Sequence, residues 1–292
     1  MTAGGPAAGT VLFDFSDRDL DAMVAGCAHD AMMAILLATV PAGAAVLEAG
    51  AGSGRWVKAL ADRGYAVTGI ELNRPDVERF RTRFPGLPFD HGDVEALPYP
   101  DAAFDAVLSF GVIEHLFAGC EQALGEAHRV LRPGGLLVLT VPHANALFRL
   151  ERLKDAVLHR LWGSRGLRRL LSRPPASFDR AGEGRRLAAI RRDRRPGWAV
   201  KLGFARDRGR DFYEYRFTDR QLHGLVAGTG FAIEDTRHLY QADRLYQVLG
   251  RLAGRFDGHS PVRLTAAGRL LARLLPVSWS AHMLLVLARK PG

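Results

Sequence analysis

Val46–Val57, VLEAGAGSGRWV, is a short apolar run that closes on an acid, Glu48, and then spaces Gly50, Gly52 and Gly54 two apart. A glycine-rich turn between a strand and a helix lets backbone N–H groups approach a ligand, and such turns hold dinucleotides, phosphates or other nucleosides. A dinucleotide loop reads G-x-G-x-x-G, its third glycine allowing the helix to pack while its N-terminus faces a pyrophosphate. Here the spacing is G-x-G-x-G and Arg55 stands where that third glycine would be. Glu48, two residues before the turn, would repel a pyrophosphate and attract an ammonium or a sulfonium. The loop, with Ala51 at its centre, therefore points to a cationic nucleoside cofactor.

The next fifty residues agree. VTGIELN places Glu71 at the carboxyl end of a second strand, followed by Leu72 and Asn73. A carboxylate at that point can take both hydroxyls of a ribose. In HGDVEALPY, after a third strand, Gly92 leads into Asp93, which can accept from an adenine amine, while Val94 and Leu97 wall the ring. The fourth strand ends in SFGVIEHL, where Phe110 and Gly111 open a slot opposite the loop.

Apolar spacing extends the pattern outward. Strands at 44–48, 66–71, 88–91, 104–110 and 135–141 alternate with helices at 55–63, 75–84 and 121–131, the rhythm of a parallel sheet covered on both faces. One leading helix is predicted within 15–40, capped by Ser16 and Asp17. After Val141 the rhythm stops for about seventy Arg- and Gly-rich residues. It resumes at YRFTDRQLHGLVAGTGF, where Thr218 caps a helix, Gly230 ends it and 231–238 reads as a strand; 282–288 gives a last one.

The net charge of +9 belongs to one segment: residues 147–220 hold 21 Lys or Arg against 9 Asp or Glu. The N-terminus lacks the basic start and apolar core of a secretory signal, and the most apolar stretch, 31–47, is interrupted by Pro41 and Gly43, so a cytoplasmic protein is expected. Cys27 and Cys120 have no ligand or redox spacing and read as reduced core residues.

In this order and spacing, LEAGAGSG (47–54), Glu71, GDVEALPYPDAAFDAV (92–107), EHL (114–116), RVLRPGGLLVLTVP (129–142) and RFTDRQLHGLVAGTGF (216–231) resemble the class I S-adenosylmethionine-dependent methyltransferases. The resemblance implies an α/β, Rossmann-like, doubly wound and mostly parallel seven-stranded sheet, with helical insertions after strands 5 and 6. It implies one domain over 1–292, a cofactor-binding core over 44–146, a basic helical insertion over 147–215 forming a lid or acceptor region, and a second helical insertion over 240–280. It implies further that Glu48 and Gly50 face the methionine end of S-adenosylmethionine, Glu71 the ribose and Asp93 the adenine.

Methyl transfer from a sulfonium needs little acid–base chemistry, but a hydroxyl acceptor benefits from a base or a metal. His115 and His143 follow the fourth and fifth strands and are the candidate bases. Similar quinone-pathway O-methyltransferases use an E-x-x-E-H motif and a further His for a divalent metal. In GVIEH, Gly111 stands where the first ligand would be, so no metal is expected; Glu114, His115 and His143 are the ligands that would remain.

The acceptor is read from the insertions. LFRLERLKDAVLHRLW (147–162) puts leucines on one helical face among arginines, the pattern of a lid helix or of a helix lying on an anionic membrane. Arginines and aromatics interleave in FARDRGRDFYEYRF (204–217), as in RNA-binding segments, but SFGVIEH carries neither the Pro-Pro-aromatic turn nor the Pro-Cys nucleophile of base methyltransferases. The expectation is a small-molecule or lipid-like acceptor methylated on oxygen, with peripheral contact to anionic membrane and without nucleic acid. An RNA-directed enzyme or a catalytically silent S-adenosylmethionine-binding protein are the alternatives.

Overall fold

The computed structural model describes residues 13–15, 18–153, 180–205, 209–256 and 262–292. The predicted Ser16–Asp17 cap and the part of the predicted 147–162 helix from Lys154 onward lie outside the described residues.

Five strands, β1 (Ala45–Ala49), β2 (Ala66–Glu71), β3 (Phe89–His91), β4 (Phe104–Phe110) and β5 (Leu131–Pro142), are joined with β8 (Ala232–Leu239) and β11 (Met283–Arg289) into a seven-stranded sheet. Its order is β3-β2-β1-β4-β5-β11-β8, and only β11 runs against its neighbours. Strand order therefore reverses between β1 and β4, and a ligand crevice opens beyond their carboxyl ends. Alternation within each strand builds both layers. Leu47, Ile70, Val107, Leu137 and Leu139 face α5 (Glu121–Val130) and the helix after β7, whereas Val46, Val67, Ala106, Leu108 and Val138 face α1–α4. Each side chain of this kind contributes roughly 1.5–3 kcal/mol by leaving water.

The leading segment is two helices, not one. α1 (Leu20–Cys27) is capped by Asp19, which accepts from the Ala22 N–H; α2 (Ala31–Thr39) is capped by Asp30, which accepts from the Met32 N–H, and their axes differ by 60°. Asp30 offers the backbone a cap in place of a continued helical turn, so the apolar spacing runs through a break. No single described helix is long and apolar enough to cross a membrane; the bent α1–α2 pair meets the length and composition test only jointly. α3 (Arg55–Ala61) and α4 (Arg74–Arg83) complete this layer.

The first insertion is also less helical than its composition suggests. Residues 146–153 and α6 (Arg180–Asp193) are helical, but β6 (Ala199–Ala205) and β7 (Gly209–Arg216) form an antiparallel hairpin. Aromatic residues favour strands, and the arginines around Phe212, Tyr213 and Tyr215 mask that signal in the sequence. Then α7 (Asp219–Gly228) starts with a reciprocal capping box between Thr218 and Gln221. The second insertion holds α8 (Gln241–Leu249), a two-residue ladder of β9 (Gly254–Arg255) with β10 (Arg263–Leu264), α9 (Ala266–Leu274) and α10 (Val277–Ser280).

Buried charge locks the insertions together. Arg216 at the end of β7 is fully buried, lies 2.8 Å from Glu214 and stacks over Phe148 at 4.7 Å. Arg244 of α8, also buried, pairs with Glu151 at 2.6 Å.

Candidate active site

A cavity of about 240 Å³ opens at the β1/β4 switch point. The end of β1 and the turn after it supply Glu48, Gly50, Ala51 and Gly52 to its wall; the end of β2 and the turn after it supply Glu71 and Leu72; the segment after β3 supplies Asp93 and Val94. Phe110, Gly111 and His115, at and after the end of β4, close the far side. Gly50 has a φ of +77°, and a Cβ there would fall 2.6 Å from the Val112 side chain, so only glycine permits this close approach of two loops.

The remaining candidates stand behind the wall. Gly54, at φ +77°, starts α3 where a Cβ would sit 2.2 Å from the Phe80 ring, and a Cβ on Gly92 would meet Ile70 at 2.8 Å. The Asn73 side chain donates to the Phe13 carbonyl at 2.9 Å and to Asp76 at 2.7 Å. Those bonds, with the Phe15 N–H on the Asp76 carboxylate at 3.3 Å, strap the N-terminal segment over the cavity. Phe13, Phe15, Arg18 and Met23 consequently line it, a contribution that nothing local in MTAGGPAAGTVLFDF announces. Trp56 of α3, edge-on to Phe110 at 5.7 Å, is a further wall residue reached only through folding.

Glu48 is 3% exposed, and its Oε2 is buried without a hydrogen-bond partner among the described residues. Burial pushes its pKa up to about 8, opposed in part by the Arg55 guanidinium. An orphaned carboxyl in a cavity wall is an acceptor set aside for a cationic ligand group. Glu71 accepts from the Gly52 N–H through one oxygen and from the Asn73 N–H through the other, each at 2.8 Å, so it ties the glycine turn to its own; burial raises its pKa.

His115 sits in a turn of 3-10 helix at Ile113–His115, 8% exposed, its ring packed edge-on against Phe13 and Tyr213. Its Nδ1 lies 2.7 Å from the Tyr213 carbonyl of β7. A carbonyl only accepts, so Nδ1 carries the proton and the neutral ring presents Nε2 as a lone pair. Burial lowers the His115 pKa and keeps the ring neutral near pH 7. Glu114 beside it, with Oε1 3.8 Å from that Nε2, is fully buried, and burial followed by the nearby Glu214 charge raises its pKa well above the carboxylate range.

His143 does not join them. It follows β5, bridges to Phe217, pairs through Nε2 with Asp219 at 3.2 Å and lies outside the cavity wall. Glu114, His115 and His143 therefore do not form a ligand set: among the described residues, the group of three whose donor atoms converge is His143, Asp219 and His238. Strand register gives the reason. His143 leaves the sheet beside β11, where its N–H donates to the His282 carbonyl, whereas His115 lies under the β6–β7 hairpin.

The comparisons with known proteins agree with this geometry. Residues 47–139 match the family model described as a methyltransferase domain. Over 102 residues the chain is 41% identical to a fatty-acid O-methyltransferase of Mycolicibacterium smegmatis, covering 34% of this chain and 37% of that one. Over 124 residues it is 34% identical to a malonyl-[acyl-carrier protein] O-methyltransferase of Pseudescherichia vulneris, covering 42% and 49%. These matches span less than half the length of either relative. A SAM-dependent methyltransferase structure from Methanosarcina mazei superposes with a TM-score of 0.51 at 18% identity, over 88% of this chain and 97% of that one, a likeness of fold. Residues 47–139 thus form a methyltransferase domain on the fold of the S-adenosylmethionine-dependent enzymes, and S-adenosylmethionine is the cofactor that such a domain implies.

Proposed function

We propose that this protein transfers a methyl group from S-adenosylmethionine to an oxygen of a small, lipid-like acceptor. The observation that carries the proposal is His115, a neutral imidazole held by the Tyr213 carbonyl with Nε2 free to take a proton in the wall of the cofactor cavity. When bound, S-adenosylmethionine supplies a methyl already activated by its sulfonium, so the chain must mainly orient the acceptor and exclude water. Glu48 would face the cationic methionine end, Glu71 the ribose and Asp93 the adenine. His115 takes the proton that an acceptor hydroxyl loses as its oxygen gains the methyl. The Phe13 strap and the β6–β7 hairpin cover the site from water.

A lipid-like acceptor is supported by the fatty-acid and malonyl-carrier relatives and by the second insertion. Leu270 and Leu274 of α9 point away from its buried Gly268, and they continue into exposed Val277 and Trp279 with Arg269 and Arg273 alongside. An outward Leu-Leu-Val-Trp surface set among arginines suits an anionic lipid surface. Base stacking on 199–217 is disfavoured because Tyr215, Arg216 and Phe217 are spent in the core.

The test is transfer of labelled methyl from S-adenosylmethionine into a host-cell extract, followed by phase partition, with Glu71→Gln as the control. Label in the organic phase with the wild-type chain alone supports the proposal; label confined to the aqueous phase overturns the lipid-like acceptor. Pelleting with phosphatidylcholine vesicles, with and without phosphatidylglycerol, tests the surface: binding that needs the anionic lipid and falls in Leu270→Glu/Leu274→Glu is expected. Binding unaffected by either change removes it.

A further inference from the structure

Outside the cofactor cavity, His143 after β5, Asp219 at the first position of α7 and His238 near the end of β8 bring one ligand atom each within 4.8 Å of one another. Asp219 Oδ2 lies 3.2 Å from His143 Nε2, and Oδ1 lies 2.9 Å from His238 Nε2. The sheet explains the convergence. β5 and β8 flank β11, the imidazoles from the two outer strands meet over it with ring centroids 4.9 Å apart, and α7 delivers the carboxylate.

The donor set selects the class of ion. Two imidazole nitrogens and one carboxylate oxygen suit zinc and its neighbours, whereas calcium and magnesium require shells of oxygen. Zinc–ligand bonds of about 2.0–2.1 Å place adjacent corners of a tetrahedron about 3.3 Å apart, close to the 3.2 Å between His143 and Asp219. The His143 side chain is 4% exposed, but Asp219 is 40% and His238 22%, so one side of the trio is closed and the other open to solvent. An ion would enter past Asp219.

We propose that His143, Asp219 and His238 bind one divalent zinc-class ion, with water in the fourth position, and that the ion pins the exit of the first insertion to the sheet. The competing account is a polar staple in which one carboxylate accepts from two imidazoles and no metal binds. The experiment is titration of untagged, metal-stripped full-length protein with zinc chloride by calorimetry and with cobalt chloride by visible absorption. One equivalent of each ion, a tetrahedral cobalt band and a zinc-dependent rise in Tm are expected. His238→Ala and Asp219→Asn should each weaken zinc binding at least about tenfold and lose the cobalt band. S-adenosylmethionine affinity serves as the fold control, since none of the three residues lines that cavity. Absence of stoichiometric binding by the wild type, or undiminished binding by both variants with cofactor affinity intact, establishes the polar staple instead. If His238→Ala does not fold, Asp219→Asn decides alone, because the amide preserves size and one acceptor.

Discussion

Residues 44–146 and the two insertions solve different problems with different chemistry. In the core, loops after β1, β2, β3 and β4 converge because the strands that carry them are parallel neighbours, and the polar groups they deliver, Glu48, Glu71 and Asp93, are left facing a cavity. In the insertions, charge is spent inward: Arg216 pairs with Glu214 along β7 while stacking over Phe148, and Arg244 with Glu151 ties α8 to the helix at 146–153. A carboxyl oxygen left without a partner among the described residues, as Oε2 of Glu48 is, marks a place for a ligand. A guanidinium buried with its carboxylate marks a seam.

The sharpest way to break that contrast is His115, where the two regions touch through the Tyr213 carbonyl. His115→Gln is expected to lower kcat by about 10²- to 10⁴-fold with little change in cofactor affinity; steady-state kinetics and a binding titration check both. Next comes the seam. Arg216→Ala leaves the buried Glu214 to the half-exposed Lys201 at 3.5 Å and is expected to cost about 3–5 kcal/mol in urea unfolding, whereas removing a surface arginine such as Arg192, paired with its exposed neighbour Asp193, should leave the unfolding midpoint nearly unchanged.

Glu71→Gln keeps the side chain's size but removes the charge that the Gly52 and Asn73 N–H groups share, and a loss of about 1.5–3 kcal/mol in S-adenosylmethionine affinity is expected by calorimetry. The smallest effect is the most diagnostic. Glu48, held at about 8 against an ordinary 4.5, is protonated at neutral pH without ligand, so a cation that ionises it must expel a proton. Affinity should therefore rise from pH 6 to about 8 and then level off, and Glu48→Gln should flatten that slope. Stability runs the other way: a raised carboxyl pKa contributes fully below pH 4.5 and its contribution is lost as pH rises to 8, so Glu48→Gln should gain on the wild type across that window.

The cofactor half was legible in the amino-acid sequence because its determinants are local. Three glycines with positive φ, an acid two residues upstream and strand-ending carboxylates are all written at the carboxyl ends of strands, and a parallel sheet brings those ends together. Tertiary structure alone decided the rest. Asp30 broke the leading helix by capping a second one, and Asn73 and Asp76 drew Phe13 and Phe15 over the cavity from about sixty residues away. Composition dominated by arginine hid the hairpin that orients His115. His143, adjacent to the site in the order of strands, was carried instead to Asp219 and His238 by its place beside β11. Sequence specifies which groups a chain offers and the local turns that expose them; which distant groups meet depends on strand order and register, and those are properties of the packed sheet.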